Sequence, residues 1–275
     1  MQNTDIRRDL RRMTKLDGAR VLVTGAYGGI GRAIARELRT EGCELVLTGR
    51  KEDALQEVAA EVGGRAIVAD LAVRAETVRL LAAAGELDVL IANAAVPADG
   101  DLEEWTQEQI DRALEVNLVG PIAMTRALLP TFRRRGSGHF VYVSSLAGKV
   151  PSKGAALYSA TKFGLRGFSG SLRADLAGSG VASSVVFPGF VRDAGMYAET
   201  GAKPPFGMGT VTPRAVAAGV IKAIRSNRAE VDVAPVGLRA GALIGSLTPA
   251  LSASIQARIG IGLSEQVLEA HRSKR

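Results

Sequence analysis

Short apolar runs alternate along most of the chain with longer segments in which apolar residues recur every three or four positions. The longer segments have the spacing of amphipathic helices, as at Ile30, Ala33, Ile34 and Leu38. The short runs are rich in Val, Ile and Leu and end near Gly, Asn, Asp or Pro, which predicts buried strands. They cover residues 20–24, 44–48, 65–69, 87–92, 138–143, 181–187 and 230–234. This alternation predicts an α/β fold, a doubly wound parallel sheet of about seven strands with helices on both faces.

The two ends of the chain differ from this central region. Residues 1–16 are polar and rich in Arg, so we expect a flexible or weakly helical basic extension. Residues 237–275 are predicted to be mainly helical, with an apolar face formed by Leu243, Ile244, Leu247, Leu251, Ile255 and Ile259. No linker suggests a second domain within residues 17–236. We therefore predict one α/β domain between two extensions.

A glycine-rich turn, residues 25–31, joins the first predicted strand to the first predicted helix. In such a turn, glycines let the backbone approach a pyrophosphate, and the helix N-terminus offers N–H groups and a positive dipole end. The glycines here include Gly25, Gly29 and Gly31, a spacing that differs from G-x-G-x-x-G. From this stretch alone, a tight turn without a ligand remains the alternative.

Polar residues at the ends of the next strands suit the rest of a dinucleotide. In a dinucleotide-binding fold, an acid at the end of the second strand binds the ribose 2′-OH, whereas an Arg accommodates a 2′-phosphate. No acid occupies Thr48 or Gly49, and Arg50 follows them, which favours NADP(H) over NAD(H). The alternative is that Arg50 is only a solvated side chain. Asp70 and Asn93 end later strands, where they could contact adenine and ribose.

A Tyr and a Lys four residues apart are the main candidates for chemistry. One helix is predicted over residues 155–177, so Tyr158 and Lys162 lie on one face of it. A nearby ammonium is expected to lower the pKa of a phenol from about 10 and make it a proton donor or acceptor near neutral pH. Ser145, after the strand at 138–143, could hydrogen-bond the substrate oxygen. This set of groups suits carbonyl reduction or its reverse.

The Tyr-x-x-x-Lys spacing is weak when taken alone. It arises by chance in about one chain in ten of this composition, and a Tyr at helical spacing more often packs in a core. A further polar residue, Asn117, lies in the apolar stretch 116–119 of a long helical region predicted over 105–118 and 121–134, with a bend at Gly120-Pro121. Because a buried Asn must be hydrogen-bonded, it either staples the bent helix or holds a water in a proton relay.

Composition excludes several other classes. Of 275 residues, 47% are hydrophobic and 23% charged, as in a globular protein with a sizeable core. The net charge of +7 comes from Arg clusters that are not interleaved with aromatics, so we predict no nucleic-acid partner. One cysteine, Cys43, allows no intrachain disulfide and is predicted to be a buried apolar residue in a cytoplasmic protein. We find no signal peptide and no transmembrane helix, and we predict no metal site.

Taken together, these residues resemble the short-chain dehydrogenase/reductase family over about residues 16–234. Thr24-Gly25 to Gly29-Ile30-Gly31 is similar to its cofactor loop, and Asn93-Ala94 to its Asn-Ala turn. The order Asn117, Ser145, Tyr158, Lys162 is similar to its catalytic tetrad, and Pro188-Gly189 to the segment that lines the nicotinamide. The resemblance implies a Rossmann-type fold and the following cofactor-binding residues: Thr24, Gly25, Tyr27, Gly28, Gly29, Ile30, Gly31, Arg50, Asp70, Leu71, Asn93, Ala94, Ala95, Tyr158, Lys162, Pro188, Gly189 and Val191.

The resemblance also implies a function. We expect an NADP(H)-dependent oxidoreductase that interconverts a hydrophobic ketone or aldehyde and its alcohol. In this reading Tyr158 donates the proton, Ser145 orients the oxygen, Lys162 lowers the pKa of Tyr158 and binds the nicotinamide ribose, and Asn117 anchors a relay water. Residues 17–236 would form the oxidoreductase domain, with 237–275 on or near its substrate side. The chain departs from the family pattern at Ala95, where Gly is usual, and at Asp193, where a Thr is common.

Two partner predictions complete this interpretation. A homodimer or homotetramer is expected from the family, through the helices around 103–134 and 155–178. The rival hypothesis is a cofactor-binding protein with little turnover that associates with a partner or a membrane, suggested by the apolar segment after residue 237. A helix packed on its own domain is the simpler account of that segment, and the complete tetrad argues against a purely binding role.

Overall fold

A computed structural model describes residues 14–195, 198 and 209–247 of the chain. Within them, seven strands alternate with eight α-helices. The strands are β1 Arg20–Thr24, β2 Glu44–Gly49, β3 Arg65–Val68, β4 Val89–Ala92, β5 Gly138–Val143, β6 Val181–Pro188 and β7 Glu230–Val233. The helices are α1 Gly29–Thr40, α2 Glu52–Val62, α3 Arg74–Ala84, α4 Gln107–Leu114, α5 Gly120–Arg135, α6 Ala156–Asp175, α7 Pro213–Arg225 and α8 Val236–Leu247.

All seven strands are parallel and form one sheet in the order β3-β2-β1-β4-β5-β6-β7. The chain reverses its direction of winding between β1 and β4, so their carboxyl ends open a crevice at the point where such sheets bind ligands. The predicted doubly wound, Rossmann-type fold is therefore confirmed.

The sheet is buried on both faces, which explains its nearly continuous apolar strands. Alternate residues of one strand enter different cores: Val21 and Val23 pack on the side of α1, α2 and α7, and Leu22 packs on the side of α3, α5 and α6. Helices on both faces lay apolar stripes on the sheet, as Ile34 and Leu38 of α1 do. Three layers result, with helices on both sides of the sheet.

The helical region departs from regular α-helix just before the bend predicted at Gly120-Pro121. Residues Glu115–Val119 form a π-helical turn that joins α4 to α5, and Asn117 lies inside it. Pro121 occupies the first turn of α5, where its missing N–H costs nothing. The helix predicted from residue 105 begins at Gln107, because the Thr106 side chain accepts from Gln109 N and the Gln109 side chain accepts from Thr106 N.

The extensions are only partly described. Leu16 is buried in the core and Thr14 Oγ1 lies 3.3 Å from His139 Nδ1, so packing begins before the domain boundary predicted at residue 17. Residues 1–13, 196–197, 199–208 and 248–275 lie outside the described part. The helix α8 matches the start of the helical extension, and Leu243, Ile244 and Leu247 on its predicted apolar face are exposed.

Cys43 is buried, as predicted, and its thiol donates to Leu16 O at 3.2 Å. Burial raises the pKa of the thiol to about 12, so it stays protonated at physiological pH. The described helices include none that is long and apolar enough to cross a membrane.

The buried His139 gives a prediction about stability. Ser184 Oγ donates to Arg228 O, so His139 Nε2 donates to Ser184 Oγ at 2.8 Å and Nδ1 accepts from Thr14. Burial, with a smaller effect of Arg173, lowers the pKa of His139 from 6.5 to about 3. Between about pH 3 and pH 6.5, His139 is therefore protonated in the unfolded chain and neutral in the folded chain. The free energy of unfolding should fall below pH 6.5 by up to about 1.4 kcal/mol per pH unit.

Urea unfolding at a series of pH values tests this. His139→Gln should reduce the dependence on pH below 6.5, whereas His271→Gln, which removes the other histidine, should leave it unchanged. If His271→Gln, and not His139→Gln, removed the dependence of the unfolding free energy on pH, the assignment of that dependence to His139 would be contradicted.

Candidate active site

A cleft of about 170 Å³ lies at the carboxyl ends of β1, β2 and β4, at the point where the winding reverses. Most of the cofactor-binding residues predicted from the sequence line it. They are Gly25, Tyr27, Gly28, Gly29, Ile30, Gly31, Arg50, Asp70, Leu71, Asn93, Ala94 and Ala95. The sequence reasoning missed Gly49, Ala69, Val96, Val116 and Gly195, which also line it. Gly49 and Ala69 directly precede predicted residues at strand ends, a signal that could have identified them.

Close backbone packing requires the glycines of the turn. Gly25 has φ +64°, and a Cβ on it would lie 2.8 Å from Ala94 Cα. A Cβ on Gly31 would lie 2.2 Å from Gly25 O, so helix α1 approaches the turn as closely as backbone allows. A Cβ on Gly29 would lie 2.0 Å from the Ala194 side chain, which packs across the turn. The N-terminus of α1, with N–H groups that have no partner inside the helix, thus faces the cleft without an intervening side chain.

Thr24 and Asn93 hold the turn from behind. The Thr24 hydroxyl accepts from Asn93 N at 3.0 Å and from Ala94 N at 2.9 Å. The Asn93 side-chain amide donates to Thr24 O at 2.9 Å and to Gly25 O at 3.3 Å. These bonds join the ends of β1 and β4. Thr24 is buried and does not line the cleft, so its place is that of a support for the turn.

Two arginines surround the carboxylate of Asp70. Arg112 donates to Asp70 Oδ2 at 2.9 Å and Ala72 N donates to Oδ1 at 3.0 Å. Burial opposes ionisation of this carboxyl, but these hydrogen bonds and the charges of Arg112 and Arg50 outweigh it, so the pKa of Asp70 lies below its usual value. Asp70 is therefore a fixed anion at the rim of the cleft, with the exposed Arg50 beside it. No sequence motif indicated Arg112, which reaches Asp70 from a distant helix.

The Tyr, Lys and Ser predicted to act together lie on and beside α6. Lys162 is buried, and its Nζ donates to Val143 O at 3.2 Å and lies 5.4 Å from the centroid of the Tyr158 ring. The loop after β5 is fastened to the same helix, because the Ser144 hydroxyl donates to Lys162 O at 3.0 Å. Ser145 follows, partly buried; its hydroxyl accepts from Ala147 N at 3.2 Å and also acts on the Tyr158 phenol, whose pKa it lowers. The structure therefore brings the three side chains close together.

The pKa of Tyr158 differs from the expectation. Burial raises it above the usual value, the negative charge of Asp99 raises it further, and the hydrogen bond with Ser145 opposes both. Lys162 was expected to lower this pKa, but its ammonium lies over the ring and donates to a backbone carbonyl. Burial also lowers the pKa of Lys162 to about 8, against the opposing effect of Asp99. In the protein alone, Tyr158 is thus a neutral phenol at physiological pH.

Asn117 is buried, and its side chain is bonded to the segment that follows β4. Its Oδ1 accepts from Val96 N at 2.8 Å and its Nδ2 donates to Val96 O at 2.9 Å. The side-chain amide therefore joins the segment after β4 to the π-helical turn. It does not join the two halves of the helical region to each other. One N–H and one lone pair of the amide remain for a further partner.

Pro188, Gly189 and Val191 lie at and beyond the end of β6, outside the cleft described above, as do Tyr158 and Lys162. A Cβ on Gly189 would meet Ala234, Leu146 and Leu238, which places α8 beside the loop after Ser145. Val191 pairs with Val211 in a single parallel bridge. Asp193 has φ +69° and forms an ion pair with Arg192.

A larger groove of about 710 Å³ lies at the opposite end of the sheet, lined by residues that include Arg20, Arg39 and Arg65. It is open, and two of its arginines are engaged, Arg20 with Glu44 and Arg65 with Ala83 O and Ala84 O. Parallel sheets bind ligands at the carboxyl ends of their strands, so the smaller cleft is the functional one. Within the described residues, no group of His, Cys, Asp and Glu could hold a metal ion.

Comparison with known proteins agrees with this geometry. The family model described as short chain dehydrogenase matches residues 19–205. The chain belongs to the short-chain dehydrogenase family. Its relatives include the ketoacyl reductase HetN of Nostoc, 38% identical over 231 residues that cover 80% of this chain and 80% of that protein. Another is dehydrogenase/reductase SDR family member 7B of Danio rerio, 32% identical and covering 88% and 85% of the two chains.

Solved structures extend the comparison to the cofactor. A short-chain dehydrogenase of Sphingobium yanoikuyae in complex with NADPH has a TM-score of 0.74 and 25% identity, covering 85% of this chain and 95% of that one. A 3-ketoacyl-(acyl-carrier-protein) reductase of Brucella melitensis complexed with NADH has the same TM-score and identity, covering 80% and 98%. This short-chain dehydrogenase is thus an oxidoreductase by family, and two of the solved structures similar to it hold a nicotinamide cofactor.

The residues present fit such a cofactor. The turn over residues 25–31 exposes backbone N–H groups at a positive helix end, which suits a pyrophosphate. Asp70 is an ionised acceptor at the rim, and Arg50 is a cation beside it. Ala194 packs on Gly29 and Gly195 lines the cleft, so the chain after β6 covers the turn.

Proposed function

We propose that this short-chain dehydrogenase is an NADP(H)-dependent reductase that converts a hydrophobic ketone or aldehyde into its alcohol, and the alcohol back. The observation that supports it best is the position of Ser145, Tyr158 and Lys162 at the carboxyl end of β5, the same end of the sheet as the cleft. A neutral phenol, a hydroxyl and a buried amine lie together at the end of the sheet where the cofactor turn lies.

A bound nicotinamide would supply a hydride to the carbonyl carbon, and the protein would supply the proton and hold the oxygen. Tyr158 is protonated at physiological pH, since burial raises its pKa above the ordinary phenol value, which is itself well above that pH. It can therefore donate a proton to the oxygen as the C=O bond becomes C–O–H. Ser145 donates a hydrogen bond to the same oxygen and orients it. Lys162 keeps donor hydrogens beyond the one given to Val143, for the nicotinamide ribose and for stabilising the phenolate. Asn117 can anchor a water that returns the proton.

Apolar surroundings support the hydrophobic substrate. Tyr158 packs against a small cluster that includes Ala98, Trp105 and Leu157, and Leu146 with Leu238 flanks Gly189 on the other side. Two of the similar proteins are named as ketoacyl reductases, so a ketoacyl thioester is the substrate to try first.

The other partner predictions stay proposals. Exposed apolar side chains on α6, at Phe163, and on α8, at Leu243 and Leu247, support a homodimer or homotetramer. A reducing cytoplasm is supported by the single, buried and unpaired Cys43.

Arg50 provides the test of the cofactor preference. Its guanidinium lines the cleft beside Asp70, where a 2′-phosphate would be attracted to it. Arg50→Ala should raise the Kd for NADPH about 10- to 100-fold, the value of a lost charge-assisted hydrogen bond, and should leave the Kd for NADH nearly unchanged. Fluorescence titration with both nucleotides measures this, together with NADPH-dependent reduction of a ketoacyl thioester.

Lys51→Ala is the matched control, because Lys51 is an exposed neighbour of equal charge. An equal loss of NADPH affinity in Arg50→Ala and Lys51→Ala would mean that Arg50 acts only through the net charge of the protein. Tighter binding of NADH than NADPH by the unaltered protein would overturn the NADP(H) preference. Binding of neither nucleotide would favour the rival non-catalytic role.

A further inference from the structure

A buried carboxylate lies beside the candidate active site and has no part in the mechanism above. Asp99 is only 5% exposed and lies in the segment between β4 and α4. It follows an apolar stretch of the chain, Ala94 to Ala98, and no motif marks it. Ionised carboxylates are rarely buried to this degree unless they interact with other groups.

Three sets of hydrogen bonds to its backbone fix the position of this segment. Asn117 holds both the N–H and the carbonyl of Val96, at 2.8 and 2.9 Å. Tyr158 N donates to Ala98 O at 3.0 Å, and Gly100 N donates to Gly154 O at 2.7 Å. Asp99 therefore lies between two bonds that tie its neighbours to the chain around Tyr158. Its place beside the start of α6 is set by the backbone, not by the side chain.

The charge of Asp99 acts on two groups of that helix. It raises the pKa of Tyr158, because a carboxylate disfavours a nearby phenolate, and it raises the pKa of Lys162, because it favours a nearby ammonium. These are the titratable groups of α6 that it faces. The charged residues nearest in sequence on either side of these bonds, Asp101 and Lys153, are exposed and therefore screened.

We propose that Asp99 is a positioning residue that holds Tyr158 as a neutral phenol and Lys162 as an ammonium, and so adapts the site to proton donation. The inference rests on the proposed function, because it assigns Tyr158 the role of proton donor. Reduction of a carbonyl needs the phenol, whereas oxidation of an alcohol needs the phenolate to accept a proton. Asp99 thus moves the ionisation of the phenol, on which alcohol oxidation depends, to higher pH.

The pH profiles of both directions test this. In Asp99→Asn, the pH at which alcohol oxidation rises should move down by about one unit, and the pH at which carbonyl reduction falls should move down with it. Asp101→Asn, which removes an exposed carboxylate two residues away, should leave both profiles unchanged. Asp99→Glu keeps the charge and should give pH profiles close to those of the unaltered protein. A shift in Asp99→Glu as large as in Asp99→Asn would overturn the proposal, since charge would not be its cause.

A second measurement does not depend on turnover. With ¹³C-labelled lysine, the Lys162 signal, assigned by its loss in Lys162→Met, should titrate with a pKa of about 8 in the unaltered protein. It should titrate at lower pH in Asp99→Asn and at the original pH in Asp101→Asn. This shift in a protein without reductase activity would support the electrostatic role and refute the proposed function. An unchanged Lys162 titration in folded Asp99→Asn would overturn the proposal, and Asp99→Ser replaces Asp99→Asn if the latter does not fold.

Discussion

Replacing Tyr158 by Phe is expected to lower kcat for carbonyl reduction by at least about a hundredfold, the usual contribution of a general acid. The phenol is the acidic group beside Ser145 whose raised pKa keeps its proton at neutral pH. Phe fills the same space in the cluster around Leu157, so the fold and the cofactor turn should be preserved. Cofactor affinity should therefore change little while turnover is lost.

Tyr142→Phe is the matched control for this experiment. Tyr142 is also buried, its hydroxyl lies 2.7 Å from Thr125 Oγ1, and burial raises its pKa as well. Its removal deletes a buried phenol hydroxyl away from the site, and we expect a loss of stability with kcat retained. Nucleotide titration and steady-state kinetics on both variants give the comparison. If Tyr158→Phe kept kcat within a few-fold of the unaltered protein, Tyr158 would not be the proton donor.

The secondary structure could be predicted because strands and helices here differ in period and length. Buried strands such as β5 are continuous apolar runs, and helices such as α1 show a clear stripe, so each observed strand was predicted within two residues at either end. The π-helical turn could not be predicted, because its cause is tertiary: Asn117 is held by Val96 of another segment. The start of α4 could have been predicted, since Thr106 and Gln109 have the spacing of a capping box.

The residues of the candidate active site also fall into two groups, those that local sequence patterns predict and those that only the folded structure brings together. Residues that belong to local motifs, such as the glycines of the turn and the Tyr158–Lys162 pair, were predictable because spacing alone places them on one turn or one helix face. Asp99 and Arg112 were not, because each reaches the site from a segment distant in sequence. The error about the pKa of Tyr158 has the same origin. The sequence showed a neighbouring Lys, but the degree of burial and the charge of Asp99 depend on the folded structure.

The second large effect is expected at the glycine turn, where Gly31→Ala should raise the Kd for NADPH by about a hundredfold or more. The added Cβ would lie 2.2 Å from Gly25 O and 2.9 Å from Ala26 Cα, both backbone atoms that no rotamer change can move. Helix α1 must withdraw from the turn, and its N–H groups then no longer point at the pyrophosphate position. Such overpacking should also reduce the free energy of unfolding by about 1–3 kcal/mol.

Gly28→Ala separates this steric cause from a general sensitivity of the turn. Gly28 has φ −66° and ψ 152°, which Ala adopts easily, and its Cβ would approach Gly25 O no closer than 3.4 Å. We expect a change of about 1 kcal/mol or less in stability and a far smaller change in affinity than for Gly31→Ala. Nucleotide titration and urea unfolding on both variants measure the two effects. Equal losses of affinity at the two positions would show that any side chain in the turn blocks the cofactor, and the close packing of α1 on Gly25 would then not be the feature that matters.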